Sequence, residues 1–251
     1  TSDGIIHGAG DELYNNASEF YRAENGQPIG YFWGYKTAGI FQNTQEIDEW
    51  RAAGNGILQS NVQPGDVRFV DRNHDGQIND KDKVNLGNGT PDFTLGLNLG
   101  FVYKGFDFSI VANGAFGQQI VQSYRNHTRP TPNYTTAILD RWHGEGTSNR
   151  IPRVTDSNIN YQFSDLFIQN GDYLRLSTLT LGYDFAKLFK GKAVSQARLY
   201  FQVQNLFIIT GYDGMDPEIG FGSSNNSWVS GLDYGYYPRP RTVLVGVNLK
   251  F

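Results

Sequence analysis

Residues 92–118, DFTLGLNLGFVYKGFDFSIVANGAFGQ, alternate apolar side chains with small or polar ones at a period of two. Phe93, Leu95, Leu97, Leu99, Phe101 and Tyr103 share one face of an extended chain, and Thr94, Gly96, Asn98 and Gly100 share the other. After Lys104-Gly105, Phe106, Phe108, Ile110 and Ala112 alternate with Asp107, Ser109 and Asn113. A helix would scatter these positions around its axis. The pattern therefore demands two long strands joined by a two-residue turn. Its second face is Gly, Asn, Thr and Asp, which suits water better than the interior of a sandwich.

Three more segments behave alike. In GDYLRLSTLTLGYDF (171–185), Leu174 and Leu176 hold one phase. The pattern then switches to Leu179, Leu181, Tyr183 and Phe185, as a bulge near Ser177-Thr178 produces. In 195–208, Ala197, Leu199, Phe201 and Val203 oppose Arg198, Gln202 and Gln204. In 241–251, Val243, Val245, Val247, Leu249 and Phe251 oppose Leu244, Gly246, Asn248 and Lys250. The expected strands are thus 92–103, 106–118, 171–185, 195–208 and 241–251. Their connections alternate between short (104–105, 186–194) and long (119–170, 209–240). Tight turns on one side and long loops on the other describe a transmembrane antiparallel barrel, and a soluble sandwich gives no reason for the alternation. Aromatic residues near the strand ends, among them Phe93, Tyr103, Phe106, Phe116, Tyr173, Tyr183, Phe207 and Phe251, match interfacial girdles.

Composition agrees and excludes much else. With 36 aromatic residues (17 Phe, 15 Tyr, 4 Trp) and 30 Gly in 251 positions, the chain favours strands and turns over helices. A net charge of −4 supplies no basic stripe for nucleic acid. The absence of cysteine removes disulfides, thiolate metal sites and thiol catalysis. No apolar run is long enough for a transmembrane helix, but membrane strands need only about 9–11 residues with alternate ones apolar. His7, His74, His127 and His143 lie far apart without metal-ligand spacing. Asp213, Asp216 and Glu218 fit a loop tied by turn hydrogen bonds better than a glycosidase pair. No enzyme site is expected.

Five strands do not close a barrel, whose smallest forms have about 8. The expectation is therefore the last strands of a longer chain. Residues 1–91 would form an extracellular loop region, with an aromatic strand at Tyr31–Tyr35 and a short helix over 43–53, N-capped by Asn43 with Glu46 three residues on.

Within that region, DRNHDGQINDKD (71–82) has the spacing of a twelve-residue calcium loop. Asp71, Asn73 and Asp75 stand at positions 1, 3 and 5, Gln77 offers a main-chain carbonyl at 7, and Asp82 closes at 12. Gly76 allows the sharp turn at position 6, Ile78 anchors the loop, and Asn79 would act through water. An ordinary Asp/Asn/Gly turn needs no metal. The match of ligands, glycine and apolar anchor instead predicts a bound ion, calcium in preference to magnesium, that stiffens the loop. Asp in place of Glu at position 12 shortens the reach.

Several stretches together resemble the SusC/RagA-type TonB-dependent transporters. GQPIGYFWGYKTAGIFQNTQEID (26–48) is similar to that family's aromatic segment and short helix. PGDVRFVDRNHDGQINDKDKVNLGNGTPDFTLGLNLGFVYKGFDFSI (64–110) resembles its Asp-rich loop and hairpin. GDYLRLSTLTLGYDF, ARLYFQVQNLFIITGYDGMDPE and RPRTVLVGVNLKF resemble its late strands, GYDGMDPE departing from a plainer Gly-Tyr-Asp-Pro-Glu. The resemblance implies an all-β fold, the last five or so strands of a 22-stranded transmembrane antiparallel barrel in the outer membrane, with long extracellular loops. It also implies an amino-terminal plug contacting TonB, a SusD-like surface lipoprotein as lid, and oligosaccharide or peptide cargo. The plug and the TonB-contacting segment lie outside these residues. Loop aromatics Trp228, Tyr234, Tyr236 and Tyr237 are candidate contacts to cargo or lid, and Phe251 is the candidate signal for barrel assembly. The competing reading is a soluble calcium-dependent carbohydrate-binding module. It accounts for the Asp-rich loop but not for the strand and loop alternation.

Overall fold

The computed structural model describes residues 4–8, 20–122, 136–155, 158–186, 189, 194–219 and 230–251. They fall into two compact units. A loop unit lies within 1–89, 119–169 and 220–235, and a sheet unit within 90–118, 170–219 and 236–251. The sequence reading places 119–170 and 209–240 as loops. Much of both instead builds the loop unit, because Val121, Phe163 and Leu232 bury their side chains with Phe20, Tyr21, Phe32 and Leu86.

In the loop unit, β1 (Ile6–Gly8), β2 (Tyr21–Ala23), β3 (Tyr31–Gly34) and β6 (Val84–Asn85) form one sheet in that order. β4 (Thr37–Ile40) pairs with β5 (Val67–Phe69). Between them α1 (Thr44–Ala52) starts where Asn43 accepts the Glu46 N–H at 2.9 Å, while the Glu46 carboxylate accepts the Gln42 N–H. Gly54, at φ +80°, turns the chain out of the helix, with its N–H on the Arg51 carbonyl. A third sheet places β9 (Gln119–Gln122) between β10 (Ile168–Asn170) and β13 (Leu232–Asp233). Aromatic packing holds the unit together: Phe20 lies edge-on to Tyr21 at 4.7 Å and tilts against Phe163 at 5.1 Å.

The sheet unit is an antiparallel meander of β7 (Phe93–Tyr103), β8 (Phe106–Phe116), β11 (Tyr173–Asp184), β12 (Gln196–Thr210) and β14 (Thr242–Lys250), neighbours in chain order being neighbours in space. The β7–β8 turn has positive φ at both Lys104 (49°) and Gly105 (93°), the type I′ signature that matches strand twist. The register of β11 shifts between Leu176 and Thr178 against both neighbours, which is the expected bulge. Across it, Asn205 of β12 takes up the irregularity at φ 51°.

Register puts the apolar residues of all five strands on one face. Tyr103, Phe106, Tyr183, Leu199 and Val247 form one cross-strand row, and Phe101, Phe108, Leu181, Phe201 and Val245 the next. Leu99, Ile110, Leu179, Val203 and Val243 form a third. Most of this face is exposed, although Ala197 and Val203 of β12 are buried: Phe101 is 61% exposed and Val245 70%, and every residue of β7 is exposed. Eleven residues rise about 37 Å. Tilted near 45° they cross about 26 Å, the height of a membrane band. Phe93 stacks on Phe116 near one end of the band, and Phe106 tilts against Tyr183 near the other. Tyr173 departs from the girdle expectation: it is buried on the opposite face, in a row with Thr94, Ala115 and Thr210.

Candidate functional site

The 71–82 segment leaves β5 and folds back on the end of α1. The Asp71 carboxylate is buried, 1% exposed. Its Oδ2 accepts the N–H groups of Gly76 and Gly56, both at 2.9 Å. Its Oδ1 is buried without a hydrogen-bond partner. Asn73 Oδ1 accepts the Asp75 N–H at 3.0 Å, and the Asn73 amide donates to Asp75 Oδ2. Asp75 Oδ1 accepts the Gln77 N–H at 2.9 Å. His74 (φ 57°) and Gly76 (φ 77°) both adopt the left-handed conformation that curls the loop.

Ile78 anchors the loop among Tyr35, Val67 and Phe69. Asn79 then caps a single turn over Asp80–Asp82. The fully buried Asp82 carboxylate accepts the Asn79 and Arg72 N–H groups at 2.8 and 2.9 Å. The five expected ligand residues are thus brought into one loop but divided. Asp71 and Asp82 point inside, while Asn73, Asp75 and Gln77 are exposed. Among the described residues no three His, Asp or Glu side chains form a ready-made metal cage. Beside the loop, burial first, then the charges of Asp80 and Asp82, pushes the Tyr35 hydroxyl up to about 12.

The candidate contact aromatics separate. Tyr236 and Tyr237 are exposed, Tyr237 at 88%. Tyr234 is half-buried and packs against the Phe20–Leu232 cluster, which makes it a packing residue and not a free contact. Trp228 lies outside the described residues. Phe251 follows β14 and is 85% exposed.

Two polar constructions in the sheet unit escaped the sequence reading. Arg175, 4% exposed, pairs with Asp216 (2.5 Å) and Glu218 (3.0 Å), and Arg239 holds the other oxygen of Glu218 at 3.0 Å. The Asp216 and Glu218 carboxylates are therefore a fastener between strand and loop. On the polar face, Arg198 and Asp107 form a two-pronged ion pair. The only cue in the sequence was the placing of Arg175 and Arg198 on polar phases of their strands.

No protein-family model matches the chain. It is 33% identical over 237 residues to the TonB-dependent receptor P3 of Formosa agariphila, covering 90% of this chain and 22% of that protein. The TonB-dependent receptor P26 of the same organism is 30% identical over 248 residues, 96% of this chain and 24% of the receptor. The TonB-dependent receptor SusC of Bacteroides thetaiotaomicron is 32% identical over 197 residues, 78% of this chain and 18% of the receptor. Among solved structures, the RagAB peptide importer in its closed-closed state superposes with a TM-score of 0.67 at 20% identity, over 99% of this chain and 25% of that chain. That likeness establishes fold. The chain spans about a quarter or less of the length of the proteins it matches. In sequence the chain is thus homologous to part of the TonB-dependent receptors, SusC among them, and in fold it matches part of the RagAB transporter's β-barrel chain.

Proposed function

We propose that the chain forms part of an outer-membrane importer that takes up oligomeric nutrients, oligosaccharides or peptides, under TonB control. The observation that carries the reading is the apolar face, five strands wide and largely exposed, backed by a face of Asn, Gln, Ser, Thr and paired charges. Water on one side and hydrocarbon on the other is the environment that such a sheet requires. A soluble carbohydrate-binding module would have to cover that face. The free edges of β7 and β14 need partners too, since an unpaired strand edge is not tolerated in lipid. In this reading the remainder of the transporter, with its plug and other strands, supplies them, and the plug carries the contact to TonB.

The long loops are extracellular, under a SusD-like lipoprotein that closes the mouth. Tyr236 and Tyr237 are the exposed aromatics available to cargo or lid, with Trp228 a further candidate from its sequence position. Phe251 serves barrel assembly, and Phe251→Ala is expected to lower the amount of receptor in the outer membrane.

The test is uptake by cells carrying or lacking the full-length receptor, supplied with labelled oligosaccharides or labelled peptides, with and without TonB. Loss of uptake of one cargo class on removal of either receptor or TonB supports the proposal, as does co-purification of a surface lipoprotein with the receptor. Uptake of both classes that is indifferent to the receptor refutes it.

A further inference from the structure

We propose that the Asp71–Asp82 loop binds a calcium ion, and that the ion fixes the turn after α1 to the loop. The spacing of its oxygen donors is one observation. The second, independent of spacing, is Asp71: a carboxylate 1% exposed whose Oδ1 has no hydrogen-bond partner. Leaving a charged oxygen buried and unpaired is costly, and such groups are kept where they pair or ligate a metal. Among the described residues no lysine or arginine forms an ion pair with Asp71, Asp75 or Asp82; the neighbouring Lys83 is committed to Asp80 at 2.7 Å. The loop therefore holds three carboxylates without a counter-charge.

The donors on offer are the carboxylates of Asp71, Asp75 and Asp82, the Asn73 amide oxygen and the Gln77 main-chain carbonyl. All are hard oxygens set in an irregular loop, which suits calcium's six to eight ligands better than the strict octahedron of magnesium. Asp71 Oδ2 is used up by two N–H groups, so Asp71 would ligate through its unpartnered Oδ1, while the Asp82 oxygens and Asp75 Oδ1 each accept one N–H and retain a second lone pair. The Asn73–Asp75 side-chain bond is exposed and is the contact that an ion would replace.

The consequence reaches beyond the loop. Asp71 Oδ2 takes the Gly56 N–H, and Trp50 of α1 donates its indole N–H to the Gly56 carbonyl at 3.3 Å. Gly56 lies so close to the Gln77 backbone that a Cβ there would stand 2.5 Å from the Gln77 carbonyl carbon. Neutralising Asp71 locks this contact, and Trp50 is placed to sensitise a luminescent ion in the loop.

The test uses the full-length receptor in detergent, stripped with a chelator and titrated with terbium as a luminescent calcium substitute, then with calcium or magnesium as competitor. Wild-type receptor is expected to show indole-sensitised emission displaced by calcium well before magnesium, and calcium is expected to raise its melting temperature. Asp71→Asn keeps an acceptor for the Gly56 and Gly76 N–H groups but removes the charge. It is expected to weaken the ion by about tenfold or more and to abolish the calcium-dependent rise. Asp75→Asn, on an exposed side chain, should also weaken binding and guards against a folding defect at Asp71. Emission and calcium response unchanged in both variants would overturn the proposal and leave a loop closed by hydrogen bonds alone.

Discussion

Arg198 reaches Asp107 across an intervening strand. Asp107 lies on β8 and Arg198 on β12, and the guanidinium meets the carboxylate at 2.7 and 2.5 Å directly over Gly182 of β11. A Cβ on Gly182 would stand 2.3 Å from Asp107 Oδ1 and 2.6 Å from Arg198 Nε. The glycine is required because the ion pair occupies the space of its side chain. Gly182→Ala should therefore separate the pair and destabilise the sheet by about 1–2 kcal/mol, the range for a partly exposed, charge-assisted contact. In an Arg198→Met background the same substitution should cost much less, because the two changes remove one interaction. Denaturant unfolding of the full-length receptor in vesicles, run as a double-mutant cycle, measures this; additive effects would contradict it.

The β7–β8 turn depends on Gly105. At φ +93° a β-branched residue is strained, so Gly105→Val should destabilise the hairpin by about 1–2 kcal/mol. Lys104, at φ 49°, sits where Asn is preferred, and Lys104→Asn should be neutral or stabilising by a few tenths of a kcal/mol. The folded fraction by heat-dependent gel mobility, after refolding into detergent, separates the two outcomes.

The helix start rests on Asn43. Asn43→Ala removes the acceptor for the Glu46 N–H and the donor to Glu145, and should cost about 1 kcal/mol locally. Asn43→Asp should preserve the cap. Amide exchange over Thr44–Ala52 should quicken several-fold in the alanine variant and stay near wild type in the aspartate variant.

Alkaline pH should loosen the loop unit through Tyr35. Burial raises its hydroxyl to about 12, above the value near 10 of an unfolded tyrosine. Below pH 10 both states are protonated and nothing is lost. Between 10 and 12 the unfolded state ionises first, so stability falls by about 1.4 kcal/mol per pH unit. Tyr35→Phe should remove this component. Tyrosinate absorbance together with melting temperature, across that range, tests it.

Local features were legible in the sequence because each depends on neighbours along the chain. Alternation located the five long strands to within a residue or two at most ends, and Lys104-Gly105 located the turn. The phase switch near Ser177 located the bulge, and Asn43 with Glu46 located the helix start. In the candidate site, the spacing of Asp71, Asn73, Asp75, Gln77 and Asp82 located the loop, but it did not distinguish the buried pair from the exposed three.

The sequence by itself determined that this chain makes long amphipathic strands with one apolar and one wet face, since period-two alternation has no other stable use. Only the tertiary structure decided which distant residues meet. It brought Arg175 to Asp216, Arg198 to Asp107 over Gly182, Tyr234 into the Phe20–Leu232 core, and Gly56 onto the Asp71 carboxylate. Such meetings are set by strand register and by burial, which join segments that no local pattern connects. For the same reason the unpaired Asp71 oxygen, on which the calcium proposal rests, is a property of the folded chain and not of the motif.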